Sequence, residues 1–283
     1  PSIGYKLVNT LEEEKLFVVN NFTQTYNVYY EVDTLQTFPV DVTFNVTDPI
    51  TGVTSQVTTQ VSGYIGELVD ITNLFDTISE LYGYELAEAY DINDTTVAIE
   101  YPQVTEYIKN TVVDQTIKFS GTVLYMIGTE VKHEQTVSGY QGEEVLIPKY
   151  GITGYKVDAL NSPTYIRINR NNTAKENVYY IIDTTQTFPV TVVFNVTDPV
   201  TGLTSQVTEI VYGYLTENVD ITGLFNTVPE LVGYKLADTE TPTVEIVLPT
   251  TTYTKNTQVD KLVNTYEGTV YYKVTGEATH RHE

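Results

Sequence analysis

The stretch that decides the fold of this chain is VDVTFNVTDPITG, at residues 40–52. Its first part alternates apolar and polar residues, which is the pattern of a β-strand with one buried face. The DPITG segment at 48–52 then predicts a turn, because proline presets φ, aspartate accepts from the backbone ahead of it and glycine takes a positive φ. Residues 53–61 alternate again and predict the return strand. The stretch therefore predicts a β-hairpin.

The residues after this hairpin predict a helix and a closing strand. We expect Thr72 to cap a short helix over residues 74–81 that Gly83 ends. In a later copy, Pro229 is expected to shorten or bend the helix. Residues 97–101 predict a last strand. The order strand, hairpin, strand, helix, strand is that of a small β-grasp-like domain.

The deciding stretch recurs 150 positions later, since FPV at 38–40 returns at 188–190 and NVTDP at 45–49 returns at 195–199. The offset falls to 146 for KNT at 109–111, which returns at 255–257. We interpret the slip as a short deletion between Glu88 and Thr105, in a surface loop. An internal repeat of this length indicates tandem structural units.

Gly-Tyr pairs divide each repeat into two modules of different type. The second type has a predicted strand at 122–126, a return strand that ends at 137 and a last strand at 178–182. No helix is predicted in it. The predicted divisions are 1–33, 34–104, 105–183, 184–252 and 253–283. Segment 105–183 is the second module type, and segment 184–252 repeats segment 34–104. We expect a mainly β (α+β) protein of tandem β-grasp-like modules in an elongated array.

The two ends match halves of the second module type. Residues 1–33 match its back half, and residues 253–283 its front half, with His282-Glu283 aligned to His133-Glu134. Because the chain opens at Pro1 without Met, we expect a piece of a longer protein whose secretion signal and wall anchor lie elsewhere. Two hypotheses stay open: a cut from a longer array, or a subunit that polymerises head-to-tail when neighbouring copies complete the split modules.

Composition excludes several function classes. The formal net charge of -22 argues against nucleic acid or an anionic membrane as a partner. There is no cysteine, so disulfides and thiolate metal sites are excluded. No segment approaches the ~20 apolar residues of a membrane helix. We expect no enzyme, no catalytic residue and no cofactor; Asp91-Ile92-Asn93-Asp94 is the candidate calcium loop, although it lacks the central Gly and closing Glu.

Few other residues stand out as candidate sites. Asn45 and Asn195 lie in N-x-T sequences at equivalent strand positions and are the candidate N-glycosylation sites. The equivalent Asp70 and Asp220 are expected to assist the helix start. The tyrosine pairs of the second module type are candidate aromatic contacts for sugars or proteins, or else pack within the sheet; they are Tyr29, Tyr30, Tyr179 and Tyr180.

The Gly-Tyr motifs carry a family resemblance. GYIGE at 63–67 with GYEL at 83–86, and GYQGE at 139–143 with GYKV at 154–157, resemble the mucin-binding (MucBP, MUB-like) repeats of Gram-positive surface adhesins. GYLTE at 213–217 departs from this pattern at Thr216. The resemblance implies a β-grasp-like module, an extracellular position at the cell surface, and binding of mucin glycans or host proteins.

Overall fold

A computed structural model describes residues 2–8, 27–89, 92–100, 106–260, 270–272 and 280–282, the last two ranges as backbone alone. The chain divides into two compact units, Pro1–Lys149 with Ala159–Tyr179, and Tyr150–Asp158 with Tyr180–Glu283. At the start of the described chain, β1 (Tyr5–Leu7) pairs antiparallel with β2 (Tyr30–Val32).

The described residues of the first module form six strands and two single-turn helices. They are β3 (Phe38–Thr47), β4 (Thr54–Gly63), β5 (Leu68–Asp70), α1 (Leu74–Thr77), β6 (Tyr84–Leu86), α2 (Ile92–Thr95), β7 (Thr96–Ala98) and β8 (Glu106–Val113). The main sheet has the order β4-β3-β8-β6, in which β8 is parallel to β3. A first and a last strand side by side and parallel are typical of the β-grasp arrangement.

The second module has six strands. They are β9 (Phe119–Ile127), β10 (Glu130–Gly139), β11 (Glu144–Leu146), β12 (Tyr155–Val157), β13 (Tyr165–Arg167) and β14 (Ala174–Ile182). The sheet order β10-β9-β14-β12 repeats that of the first module. Residues 140–173 hold short strands and turns without a helix, as the sequence predicts.

The third module repeats the first. Its elements are β15 (Thr187–Thr197), β16 (Thr204–Tyr214), β17 (Asn218–Asp220), α3 (Leu224–Thr227), a 3₁₀ turn (Pro229–Leu231), β18 (Tyr234–Leu236), β19 (Thr243–Glu245) and β20 (Thr252–Val259). The main sheet has the order β16-β15-β20-β18, and β20 is parallel to β15. Between β18 and β19 nothing corresponds to α2, so α2 lies where the sequence predicts the short deletion.

The predicted hairpin is confirmed in detail. The Asp48 carboxylate accepts from the Ile50 amide at 2.7 Å and from the Thr51 amide at 3.0 Å, and Gly52 has a φ of 71°. The equivalent Asp198 makes the same two bonds, at 2.8 and 2.7 Å. These amides lower the pKa of both carboxyl groups, since they stabilise the charged form.

The module limits differ from the predicted ones at 104/105 and 252/253. Strand β8 is paired with β3, so that Lys109 lies opposite Phe44 in the first module. Strand β20 is paired in the same way with β15. The predicted closing strand at 97–101 is the short β7, which pairs with β5 outside the main sheet. Apolar alternation alone does not reveal which of two successive strands a sheet takes at its centre.

The predicted helix over 74–81 is wrong in length. Helix α1 is one turn, because Ile78 takes an extended backbone with φ -98° and ψ 116°. Its N-cap is Asn73, without a side-chain cap bond, rather than Thr72. Helix α3 ends at the equivalent residue, so Pro229 does not shorten it further.

Alternating strand residues and the helical turn enclose the cores of the first and third modules. In the first module Val42, Phe44, Ile71 and Leu81 are fully buried. Phe44 meets Phe75 edge to face at 5.3 Å. In the third module Phe194 and Phe225 repeat this contact at 5.4 Å. Each such side chain stabilises its module by about 1.5–3 kcal/mol.

The half-module pairings match the complete second module. Tyr5 lies opposite Val32 as Tyr155 lies opposite Ile182. At the other end, β21 (Val270–Tyr272) pairs with β22 (His280–His282). Tyr272 lies opposite His280 as Tyr125 lies opposite His133. The structural counterpart of His133 is therefore His280 and not His282.

Candidate functional site at the module joints

The Gly-Tyr-x-Gly-Glu motif is a closed turn, which we call the GYxGE turn (residues 63–67, 139–143 and 213–217). Its glutamate accepts from the tyrosine amide, at 2.8 Å from Glu67 to Tyr64 and 2.9 Å in the other two copies. A β-carbon at Gly63 would lie 2.5 Å from the Glu67 carboxylate, so the first position requires glycine. The motif therefore folds the chain back at the end of each hairpin.

The second glycine of the turn has a left-handed backbone. Gly66 has a φ of 86° and Gly142 a φ of 82°. Thr216, which departs from the motif, keeps this conformation at 66°. The Glu217 amide still donates to the Tyr214 carbonyl at 3.0 Å, so the turn closes without glycine. Threonine there carries the strain that glycine avoids.

The other Gly-Tyr pair of each module lies just before the short strand that follows. Gly4, Gly83, Gly154 and Gly233 have φ values of 79°, 90°, 82° and 86°. The carbonyl of each glycine accepts from the backbone amide of the aspartate that follows the last strand of its module. The Asp114 amide, for example, donates to the Gly83 carbonyl at 3.0 Å. This aspartate also begins the linker to the next module, so the linker is tied to the glycine.

In the first unit, these two motifs meet where the first module adjoins the second. A β-carbon at Gly83 would lie 2.9 Å from Cζ of Phe119, and the Tyr82 ring meets Phe119 edge to face at 5.9 Å. Gln141, the variable residue of its GYxGE turn, donates from Nε2 to the Tyr84 hydroxyl at 2.9 Å. Gln141 and Tyr84 are both 2% exposed. Burial raises the pKa of Tyr84, which keeps the hydroxyl neutral.

The same three-part contact occurs twice more in the part of the chain that the structure describes. In the first unit, a β-carbon at Gly4 would lie 2.1 Å from Cδ1 of Ile65 and 3.4 Å from the Phe38 ring. In the second unit, one at Gly154 would lie 3.0 Å from Cδ2 of Leu215 and 3.5 Å from the Phe188 ring. We call this set a module joint: a positive-φ glycine, the phenylalanine that begins the next hairpin, and the variable residue of the next GYxGE turn.

The hairpin register explains why the phenylalanine and the turn act together. Phe38 lies opposite Gly63, Phe119 opposite Gly139 and Phe188 opposite Gly213. Each phenylalanine is therefore next to the variable residue at the same end of its hairpin. Sequence reasoning missed these phenylalanines; the signal was an aromatic residue shortly after the aspartate that ends each preceding strand.

The linkers at the joints are short and internally bonded. The segments between strands are residues 33–37 and 114–118. The Asp33 carboxylate accepts from the Leu35 amide at 3.2 Å, and the Asp114 carboxylate from the Thr116 amide at 2.8 Å. Such Asx turns restrict the linker backbone. Together with the packed glycine they favour one orientation across these two joints of the first unit.

The four candidate tyrosines differ in exposure. Tyr29 is 63% exposed and Tyr30 is 45% exposed. Tyr180 is 6% exposed, and its hydroxyl donates to the Tyr150 carbonyl, so its place among the exposed contacts is wrong. Tyr179 is half-buried, and its amide donates to Ser162 at 2.8 Å. Alternation turns Tyr180 towards the core of its sheet.

The candidate glycosylation sites lie inside polar ladders. Nδ2 of Asn45 donates to Oδ1 of Asn110 at 3.0 Å, and Oδ1 of Asn45 accepts from Gln56 at 3.1 Å. Asn195 makes the equivalent bonds to Asn256 and Gln206. A glycan on either Nδ2 would displace one donor hydrogen of the ladder. Glycosylation at both asparagines stays a prediction.

The candidate calcium loop is contacted by a lysine. Asp91 lies outside the described residues, and Nζ of Lys109 donates to the carbonyls of Asn93 at 3.0 Å and Asp94 at 2.9 Å. Within the described part of the chain, no three histidine or carboxylate groups converge on a metal site. The same part contains no helix long and apolar enough to cross a membrane.

Asp70 and Asp220 close a local turn instead of capping a helix. Asp70 accepts from both the amide and the hydroxyl of Thr72, at 2.8 and 2.7 Å, and Asp220 accepts from the Thr222 amide at 2.8 Å. The threonine amide lowers the pKa of each carboxyl group. The predicted role at the helix N-terminus is therefore replaced by a turn that precedes the helix.

Comparison with known proteins yields matches among solved structures. No family model matches the chain. No curated protein matches its sequence. Among solved structures it is similar to the type 2 repeat of the mucus binding protein MUB from Lactobacillus reuteri, at 16% sequence identity and a TM-score of 0.18. The match covers 51% of this chain and 99% of that one. The β-grasp-like assignment rests on the strand order of the three sheets.

Proposed function

We propose that this chain is a non-catalytic extracellular repeat region of a cell-surface adhesin, which acts as a stalk and binds mucin glycans or host proteins. The observation that supports the stalk is the recurrence of the module joint, with Gly83, Phe119 and Gln141 as one copy. A stalk must hold its modules at fixed angles, because a flexible linker lets the tip collapse towards the surface. The net charge of -22 adds repulsion between neighbouring stalks.

Two measurements test this proposal. Electron microscopy of single particles should show a narrow distribution of end-to-end lengths, and a broad distribution would contradict fixed joints. The chain should bind immobilised mucin and a glycan array, and free glycan should compete for this binding. If the chain binds neither surface and no host matrix protein, the binding part of the proposal is wrong and the stalk part is unaffected.

A second candidate is a structural subunit of an extracellular filament, in which neighbouring copies complete each other's split modules. It is favoured by the register of the two half-modules, since β1–β2 repeats the β12–β14 pairing and β21–β22 repeats part of the β9–β10 pairing. Strand addition between such halves would build an open fibre. Fibres in negative stain would support it, and a strictly monomeric elution profile at high concentration would contradict it.

A further inference from the structure

The outer strands of the three four-stranded sheets differ in their protection against pairing with another chain. Charged side chains and bulges provide such protection on an edge strand. Strand β10 has both, since its sequence is EVKHEQTVSG and its register shifts between Val131 and His133. Strand β16 contains Glu209, on the side of the sheet that faces the core. The three short outer strands contain one charged residue each, namely Glu85 in β6, Lys156 in β12 and Lys235 in β18.

Strand β4 has none of these features. Its sequence, TSQVTTQVSG at 54–63, contains no charged residue and no proline, and its pairing with β3 runs without a shift. Its 10 residues exceed the about 5–6 of an average strand. Among the outer strands of the described four-stranded sheets, β4 is therefore the one that nothing protects against strand addition.

Every second residue of β4 directs its backbone N–H and C=O away from β3. The Asp48 amide donates to the Val53 carbonyl at the hairpin end, so the odd-numbered residues of β4 face β3 and the even-numbered ones face outward. No described strand pairs with this outer side, and the outward-facing residues are all exposed. They are Thr54, Gln56, Thr58, Gln60 and Ser62.

We propose that β4 is a docking edge for a second copy of this chain, and that the two β4 strands pair antiparallel about a two-fold axis at Thr58. In this register Gln56 lies opposite Gln60 of the second copy, and the outward amides of each strand donate to carbonyls of the other. The same patch is used on both chains, so the contact closes as a dimer. It goes beyond the proposed stalk function, since it gives neighbouring stalks a lateral contact.

The polar side chains of the outer sheet face favour this register. Nε2 of Gln60 donates to Oδ1 of Asp41 at 3.0 Å, and Nε2 of Gln56 donates to Oδ1 of Asn45 at 3.1 Å. Each glutamine retains a second Nε2 hydrogen and its Oε1. Side chains opposite each other on paired strands lie about 4.5–5.5 Å apart at Cβ, so each row of amides continues into the second copy. The antiparallel arrangement also places the two Asp41 carboxylates in different rows.

The charge of the chain indicates why this edge suits a second copy and how strongly it binds. Two chains with a net charge of -22 repel each other, and an uncharged strand is where they approach with the least added repulsion. The pairing should therefore be weak at low salt and strengthen as salt is added. The screening length falls from about 10 Å at 0.1 M to about 3 Å at 1 M.

Sedimentation velocity and amide hydrogen exchange of the full chain test the proposal. A concentration series should show a monomer–dimer equilibrium that shifts towards the dimer as sodium chloride is raised. The amides of Gln56, Thr58 and Gln60 should gain protection as the dimer forms. Those of Gln206 and Thr208, the equivalents in β16, should not change.

Two substitutions of opposite charge separate strand pairing from overall repulsion. Thr58→Lys places two lysines opposite each other and lowers the net negative charge, whereas Thr59→Glu copies Glu209 of the third module and raises it. Both should weaken dimerisation about tenfold or more. A purely long-range charge effect would change the affinity in opposite directions. The matched control Thr208→Lys, at the equivalent position of β16, should leave dimerisation unchanged.

Thermal unfolding checks both variants. Thr58→Lys removes the hydrogen bond between the hydroxyls of Thr58 and Thr43 at 2.8 Å. If it does not fold, Thr59→Glu carries the test, because the third module accommodates Glu209 at the same position.

The proposal is wrong if the chain stays monomeric at every salt concentration, or if the dimer persists in both Thr58→Lys and Thr59→Glu. It is also wrong if the outward amides of β4 are protected in the most dilute sample, because the edge is then covered within one chain. Open fibres that persist in Thr59→Glu would point to head-to-tail completion of the split modules instead. Protection of the same amides by a synthetic Ser/Thr-rich peptide, without dimerisation, would make β4 a peptide-binding edge and overturn the self-pairing.

Discussion

Replacement of Gly83 by alanine should loosen the joint between the first and second modules more than it weakens either module. Gly83 has a φ of 90°, and its new β-carbon would lie 2.9 Å from Cζ and 3.1 Å from Cε2 of Phe119. The matched control is Gly66→Ala. Gly66 has a φ of 86°, and a β-carbon there meets nothing within 4 Å.

The two substitutions share one cost and differ in another. Placing an L-residue in the left-handed region costs about 1–2 kcal/mol, and the loss of glycine's unfolded-state entropy returns about 0.5–1 kcal/mol. Gly66→Ala should therefore cost about 1 kcal/mol. Gly83→Ala adds the overlap with Phe119, for which overpacking costs about 1–3 kcal/mol. Because separation of the modules relieves the overlap with Phe119, this added cost should lower the free energy of opening the joint.

Amide hydrogen exchange measures that opening. The Asp114 amide donates to the Gly83 carbonyl at 3.0 Å across the start of the linker. Its protection should fall by about 5- to 150-fold in Gly83→Ala, since every 1.4 kcal/mol is a factor of ten. Amides inside the sheet, such as that of Phe44, should change much less.

Equal exchange of the Asp114 amide in Gly83→Ala and Gly66→Ala would refute the reasoning, because the Phe119 contact would then contribute nothing to the joint. A uniform loss of protection through the first module in Gly83→Ala would also refute it. In that case the strain is absorbed by the fold and not by the joint. Phe119→Ala in the Gly83→Ala background should restore part of the lost protection if the overlap is the cause.

Three further predictions concern turns and the buried joint bond. Thr216→Gly should stabilise the third module by about 0.5–1 kcal/mol in urea unfolding, because Thr216 has a φ of 66°; unchanged stability would show that the turn relaxes. The threonine amide at 201 lowers the pKa of Asp198, so the stability from this carboxylate is present above the ordinary pKa of 3.8 and is lost as pH falls through the lower folded value. Asp198→Asn should flatten acid unfolding in that window, and an unchanged pH profile would contradict the hairpin's role. Tyr84→Phe should lower the free energy of unfolding by about 1–3 kcal/mol, because it leaves Nε2 of Gln141 without an acceptor. Adding Gln141→Leu should recover most of this loss, and no loss in the single variant would show that water replaces the hydroxyl.

The hairpins and the repeat could be predicted from the sequence because each signal is local. The DPITG turn at 48–52 contains every residue its geometry needs, and the structure places them as expected. The parallel position of β8 could not be predicted, since it depends on contacts between residues far apart, such as Phe44 with Lys109. The helix was predicted too long because its apolar spacing continues through Leu81, which the core buries from a non-helical segment.

The candidate sites were hardest to predict because they depend on pairs of motifs. Each Gly-Tyr motif is visible alone, but its role arises when the variable residue of one module meets the glycine of the preceding one. Exposure of a tyrosine likewise depends on what packs against it, since Tyr30 is 45% exposed and its counterpart Tyr180 is 6% exposed.

The joints are of two chemical kinds, which the variable residue of the GYxGE turn sets. Where a module of the first type follows one of the second type, the variable residue is apolar, Ile65 or Leu215. Where the second type follows the first, it is Gln141, which needs the Tyr84 hydroxyl as its partner. Loss of that hydroxyl would leave Nε2 of Gln141 without an acceptor, at a cost of about 1–3 kcal/mol. Because every Gly-Tyr pair supplies a tyrosine at the position of Tyr84, including Tyr5 and Tyr155 of the second module type, the chemical difference between the joints lies in the variable residue of the GYxGE turn.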